Sequence, residues 1–235
     1  GAVFTNRGRD HLDYHRTMEA YEQAKSVLFR GLRPGAFAAV NLDDPCGVRM
    51  AAACCPGVRI LRYGLEKGDV RVADLKMGVQ GSSFRLVTPN GDFPATLPWL
   101  GRFNVSNALA AASAALLAGV PAEKIAATLG RAPSVPGRME AVPGSGEITV
   151  LVDYAHTADA IEAALATLRP ITPGSLWIVG GAGGDREKGK RPKMAAAAAR
   201  LADRVILASD NPRSEEPSAI LREMAAGLPR GAAAQ

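Results

Sequence analysis

Hydrophobic residues first recur at helical spacing. In "HRTMEAYEQAKSVLF", residues 15–29, Met18, Tyr21, Ala24, Val27 and Leu28 fall on one stripe, which predicts a helix ending near Phe29. Lys25 lies on it. The pattern then shortens to strand-like runs at 36–41, 58–63, 70–75, 84–88 and 93–97. Pro89-Asn90-Gly91-Asp92 between the last two predicts a hairpin. Two helices are expected next, one from about Asn104 to Ala118 and one opened by Pro121, with Glu123 in its first turn. Proline and an acid both suit a helix N-terminus.

"APSVPGRMEAVPGSGE", residues 132–147, is rich in proline, glycine and serine and separates two differently patterned regions. We place a domain boundary there, giving 1–140 and 141–235. Beyond it strands and helices alternate: strand 148–152, helix about 158–168, strand 176–179, helix about 192–202, strand 205–208, helix about 217–226. Alternation of this kind predicts an α/β fold with a parallel sheet, right-handed crossovers and ligands at the carboxyl ends of the strands. Those ends read "DYAHTAD", "GGAGGDREKGKR" and "DNPR". Thr157 is expected to cap the first of these helices. The opening "GAVFTN" reads as the end of an apolar strand, and the sequence is expected to be a piece of a longer protein.

Composition narrows the function. With 47% hydrophobic residues in 235, the chain can fill real cores. The net charge of +5 suits an anionic ligand, but the basic residues are dispersed and only 5% of residues are aromatic. Small anionic substrates therefore fit better than nucleic acid. Cys46, Cys54 and Cys55 have no CxxC spacing, which suggests reduced thiols in a cytoplasmic protein. The apolar stretch from about Ala108 to Val120 is too short to span a bilayer, so no membrane partner is expected.

Taken singly, the motifs are ambiguous. Gly184 to Lys190 spells GxxxxGK, but Arg191 stands where a Walker A loop needs Ser or Thr. A basic, glycine-rich anion cradle at a strand end is the better reading. His11 and His15 in "HLDYH" are four apart without the glutamate of a zinc-protease helix; magnesium assisted by Asp10 or Asp13 remains open.

In order along the chain, "TNRGRDHLDYH", "YEQAK", "GRFNVSN", "VPGRME", "DYAHTADA", "GGAGGDREKGKRP" and "SDNPRSEEP" closely resemble the Mur ligases of peptidoglycan synthesis, the diaminopimelate-adding members above all. The resemblance covers nearly the whole chain. It implies the later part of a central ATPase domain followed by a Rossmann-like C-terminal domain with a parallel sheet. The family's ATP-binding GxxGKT loop would lie upstream of Gly1 and its GKGHE segment beyond Gln235. The implied activity is ATP-dependent amide formation through an acyl phosphate, with ATP and magnesium as cofactors. The implied partners are the UDP-MurNAc-dipeptide and meso-diaminopimelate, and a monomer is expected.

By the same resemblance His11 would contact magnesium, and Lys25 would ligate it as a carbamate, which supplies the oxygen donors an ammonium lacks. Asn104 and Asn107 would lie near adenine, Arg138 near the phosphates, Asp153 near ribose, and His156 and Lys190 near the reacting phosphate. Asp210, Asn211 and Arg213 resemble the diaminopimelate signature, with Arg186 as a second guanidinium for the distal carboxylate. A lysine-adding or other ligase of the superfamily, or a non-catalytic ligand-binding fragment, stands as the alternative.

Overall fold

The computed structural model describes residues 1–8, 12–78, 81–133, 135–142 and 148–229. His11 and Asp10, two of the expected metal-site residues, lie outside the described residues, as does the side chain of Asp13. The chain divides into two compact units, the first comprising 1–8 and 17–135, the second 9–16 and 136–235.

In the first unit β1 (Ala2–Phe4), β2 (Phe37–Asn41) and β3 (Arg59–Tyr63) form a parallel sheet in the order β1-β2-β3. β2 reads FAAVN and is almost wholly buried, as expected of a strand covered on both faces. Phe4, Phe29, Val40 and Met50 share one core cluster, which joins the sheet to α2 (Met18–Arg30) and α3 (Cys46–Ala53). α2 starts where Thr17 accepts the Ala20 N–H at 3.1 Å. It is preceded in the chain by the four-residue α1 (Leu12–His15), which groups with the second unit.

A second core, with Tyr63, Leu86, Leu97, Val105 and Leu109, joins three antiparallel strands to two helices. The strands are β4 (Arg71–Gly78), β5 (Gly81–Thr88) and β6 (Gly91–Leu97); the helices are α4 (Arg102–Leu117) and α5 (Ala122–Leu129). The expected hairpin joins β5 to β6. Thr88 Oγ1 accepts the Asn90 N–H at 3.1 Å and donates to Gly91 O at 2.8 Å, while Gly91 takes φ 121°, which favours glycine. The half-buried Trp99 donates its indole N–H to Pro133 O at 3.1 Å.

In the second unit β9 (Trp177–Gly180) and β10 (Arg204–Leu207) pair in parallel. Helices α6 (Ala158–Leu168), α7 (Arg191–Leu201) and α8 (Pro217–Ala225) supply Ile161, Leu165, Met194, Ala198, Ile220 and Met224 to its core. Thr157 caps α6 as the sequence predicts, accepting the Ala160 N–H. The first strand of this region departs from expectation. Only Leu151–Val152 (β8) is a regular strand, and it pairs antiparallel with Glu140–Ala141 (β7) rather than within a three-stranded parallel sheet. The reason is local: Asp153, just after β8, accepts the Met139 N–H and draws the preceding segment alongside. β9 keeps a period-two pattern, with Trp177 58% and Val179 65% exposed while Ile178 packs into the core.

The three cysteines are free thiols. Among the described residues no helix is long and apolar enough to cross a membrane.

Candidate active site

Two strand ends of the second unit are interlocked. Past β10, Asn211 Oδ1 accepts the Arg213 backbone N–H at 3.1 Å, a side-chain turn. Arg213 itself sits at φ 49°, a strained region for a long side chain. Its guanidinium Nη1 donates to Gly184 O at 2.5 Å. The loop after β9 has glycine where this corner presses on it. A Cβ on Gly181 would fall 2.3 Å from Ala208 O, and one on Gly183 2.8 Å from Arg213 Nη1. Gly184 N donates to Asn211 O at 2.9 Å.

Charged groups complete the lock. Asp185, also left-handed at φ 52°, accepts Ser214 Oγ–H at 2.7 Å and Ser214 N–H at 3.2 Å. These bonds hold its carboxyl below the ordinary aspartate value. Glu215 Oε1 accepts the Asp185 N–H at 2.6 Å and Arg191 Nη2 at 2.7 Å; its Oε2 accepts Arg191 Nη1 at 2.9 Å. Arg191 Nη1 also reaches Glu223 at 2.6 Å, and Nη2 reaches Gly183 O at 3.1 Å. Hydrogen bonding from Arg191, first, pushes the Glu215 carboxyl down to about 2. Arg191 is 1% exposed, so the residue at the Walker hydroxyl position is a buried, committed cation. Arg186 is exposed and unpaired among the described residues, Asp210 is exposed, and Lys190 is the N-cap residue of α7.

Arg138, Asp153 and His156 are brought together around Tyr154. Asp153 Oδ2 accepts the Met139 N–H and Oδ1 the Ala155 N–H, both at 2.9 Å. The Arg138 guanidinium lies 4.9 Å from the Tyr154 ring centroid, a cation–π distance. His156 Nδ1 is 3.0 Å from Tyr154 O, and its ring meets the Tyr154 ring edge-on at 5.1 Å.

In the first unit Lys25 Nζ lies 4.6 Å from the centroid of the Tyr21 ring, one turn earlier on α2. Three residues earlier on α2, Glu22 is the most heavily bonded carboxylate among the described residues of this unit. It accepts Arg7 Nη1 at 2.6 Å, Arg49 Nη2 at 2.8 Å and the Cys46 thiol at 3.2 Å, and also Arg49 Nε. The Arg49 hydrogen bond is the chief reason that its carboxyl falls to about 2. Burial, then the bond to Glu22, pushes the Cys46 thiol up to about 11. Asn104 is buried and donates to Leu100 O at 2.8 Å; exposed Asn107 donates to Asn104 Oδ1 at 3.3 Å.

Residues 1–115 match the Mur ligase middle domain, and residues 137–235 match the domain described as Mur ligase, glutamate ligase domain. The chain belongs to the Mur ligase family. A UDP-N-acetylmuramoyl-L-alanyl-D-glutamate–2,6-diaminopimelate ligase of Bacillus velezensis is 47% identical over 97% of this chain and 47% of its own. A solved structure of a ligase of that name is 40% identical, with a TM-score of 0.64 over 98% of this chain and 48% of the other. A MurF from Acinetobacter baumannii shares the fold at 24% identity, with a TM-score of 0.80 over 96% of this chain and 48% of the other. The chain spans about half the length of the curated relatives it matches.

Several residues of this Mur ligase chain were missed by sequence reading: Arg191, Glu215, Asp185, Tyr154, Glu22 and Arg49. The one available signal was a pair of acids, Glu215 just before α8 and Glu223 in its last turn; nothing in the sequence directs either of them to Arg191.

Proposed function

We propose that the protein is an ATP-dependent amide ligase that adds meso-diaminopimelate to UDP-MurNAc-L-Ala-D-Glu through an acyl phosphate, in peptidoglycan synthesis. The observation that carries this reading is the Arg213 guanidinium. One N–H is held by a backbone carbonyl, and the remaining donors have no acceptor among the described residues. Such a group suits a carboxylate gripped by two charge-assisted bonds. Diaminopimelate has a distal carboxylate where lysine has none. Unpaired Arg186 would assist, and Asp210 would attract an ammonium.

The nucleotide roles follow the same division. Arg138 is exposed and cationic, which fits a polyphosphate. Each Asp153 oxygen accepts one backbone N–H and retains a lone pair for a ribose hydroxyl. Buried Asn104 orients Asn107, which has hydrogen-bonding capacity left for a base. His156 and Lys190 would neutralise charge on the reacting phosphate side. ATP would supply the phosphoryl group that activates the substrate carboxylate, and catalysis would otherwise consist of positioning and charge neutralisation.

Magnesium is a separate question. Among the described residues no three His, Cys, Asp or Glu side chains converge on a metal position. As an ammonium over Tyr21, Lys25 is no ligand either, so its proposed role depends on conversion to a carbamate, with His11 as a further ligand.

The test is amide synthesis by the full-length gene product with diaminopimelate or lysine as acceptor. A kcat/KM at least about 30-fold higher for diaminopimelate, the lower end for one desolvated charge pair, is expected. Equal use of lysine would overturn the acceptor assignment.

A further inference from the structure

The carbonyl that steers Arg213 belongs to the peptide group between Gly184 and Asp185. The N–H of that same peptide group is the one that donates to Glu215 Oε1. A trans peptide is planar, with its N–H and C=O pointing oppositely, and no cis peptide occurs among the described residues. Fixing the N–H on Glu215 therefore fixes the direction of the Gly184 carbonyl, and with it the Arg213 guanidinium. The preceding carbonyl, Gly183 O, is held by Arg191 Nη2, whose other contact is Glu215 Oε1 at 2.7 Å. Both ends of the steering segment are thus anchored to one ion pair, in which Arg191 is buried and Glu215 partly so.

Two further observations agree. Asp185 and Arg213 both occupy left-handed backbone, which persists only where the surroundings over-determine it. Burying a guanidinium such as that of Arg191 is also a poor device for stability alone, since apolar residues of similar volume commonly do as well.

We propose that Glu215 and Arg191 are positioning residues that preset Arg213 to receive the acceptor. The inference rests on the reading that Arg213 takes the distal carboxylate of diaminopimelate. Glu223 is the internal control: it pairs with Arg191 but makes no bond to the 184–185 peptide.

The experiment measures KM and kcat for diaminopimelate, lysine and ATP in the full-length gene product and in Glu215→Gln, Glu223→Gln, Arg191→Lys and Arg213→Ala. Glu215→Gln should raise KM for diaminopimelate about 10- to 100-fold, the range for displacing a positioned group by about 1 Å. KM for ATP should stay within about twofold, and the preference over lysine should fall in parallel. Arg191→Lys should fall between wild type and Glu215→Gln. Glu223→Gln should keep the acceptor KM within about twofold.

If Arg213→Ala abolishes the preference while Glu215→Gln retains it, the positioning inference is overturned and the acceptor reading stands. If Arg213→Ala itself retains the preference, the acceptor reading fails first. Equal acceptor defects in Glu215→Gln and Glu223→Gln would reduce Arg191 to a structural anchor and also overturn the inference. Should Glu215→Gln not fold, Ser214→Ala removes a bond to Asp185 from an exposed position. It should raise the same KM about threefold, the size of one net hydrogen bond, and an unchanged KM would count against the inference.

Discussion

A Cβ on Gly184 would lie 1.8 Å from the carbonyl oxygen of Pro212. The two strand-end loops therefore cannot keep their present separation with any other residue at 184. Gly184→Ala should part them, destabilise the second unit by about 1 to 3 kcal/mol as overpacking does, and weaken acceptor binding more than ATP binding. Gly189→Ala is the comparison, since nothing lies within 4 Å of a Cβ there. Denaturant melts of both variants check this: equal stabilities would contradict the close approach.

Arg213→Ala should leave the ATP KM nearly unchanged and cost about 2 to 5 kcal/mol in kcat/KM for diaminopimelate, the range for truncating one partner of a desolvated charge pair. Lysine should lose far less. Steady-state kinetics with both amines reads the difference directly, and a variant with full discrimination would move the role to Arg186.

Lys25→Ala in the full-length gene product should abolish amide synthesis, with partial recovery on adding short carboxylates. Native mass spectrometry in bicarbonate buffer should show the mass of one bound carbon dioxide in the wild type and none in the variant. An alanine variant of full activity would make Lys25 ordinary helix surface, its ammonium resting on Tyr21.

Acid and alkali should act on the first unit through the Glu22 cluster. Glu22 falls from 4.5 to about 2 on folding, so its contribution to stability is whole above pH 4.5 and is lost as pH drops towards 2. Cys46 rises from 9.0 to about 11, so its contribution is whole below pH 9 and is lost as pH climbs through 11. Urea unfolding across pH should show a shallower acid limb in Glu22→Gln and a shallower alkaline limb in Cys46→Ser. Glu215, down to about 2 in the second unit, adds to the acid limb with the same sign, so the Glu22 variant should reduce that limb without removing it.

Local chemistry was legible in the sequence. Thr157 as a cap, the Pro89-Asn90 hairpin and the Phe37–Asn41 strand all follow from residues within a few positions of one another. α3 was not anticipated: Pro45 opens it without a side-chain cap of its own, and Asp44, which accepts the Cys46 N–H at 2.8 Å, reads in sequence as mere loop. The acceptor corner was legible as a motif but not as a mechanism. Glu215 meets Asp185 across 30 positions and Arg191 across 24, and pairings at that range are chosen by the fold, not by spacing. The strand at 148–152 departs from expectation for the same reason, because a carboxylate at 153 and a backbone N–H at 139 decide its partner.

The chain has two tryptophans, and the units divide them: Trp99 is half-buried in the first, and Trp177 is 58% exposed on β9 in the second. Indole emission shifts to the red as water reaches the ring, so each unit carries its own optical label, bluer for Trp99 and redder for Trp177. Replacing either with phenylalanine would leave a single-colour reporter, and overlaying the two unfolding curves would reveal whether the halves of the molecule melt as one body or in turn.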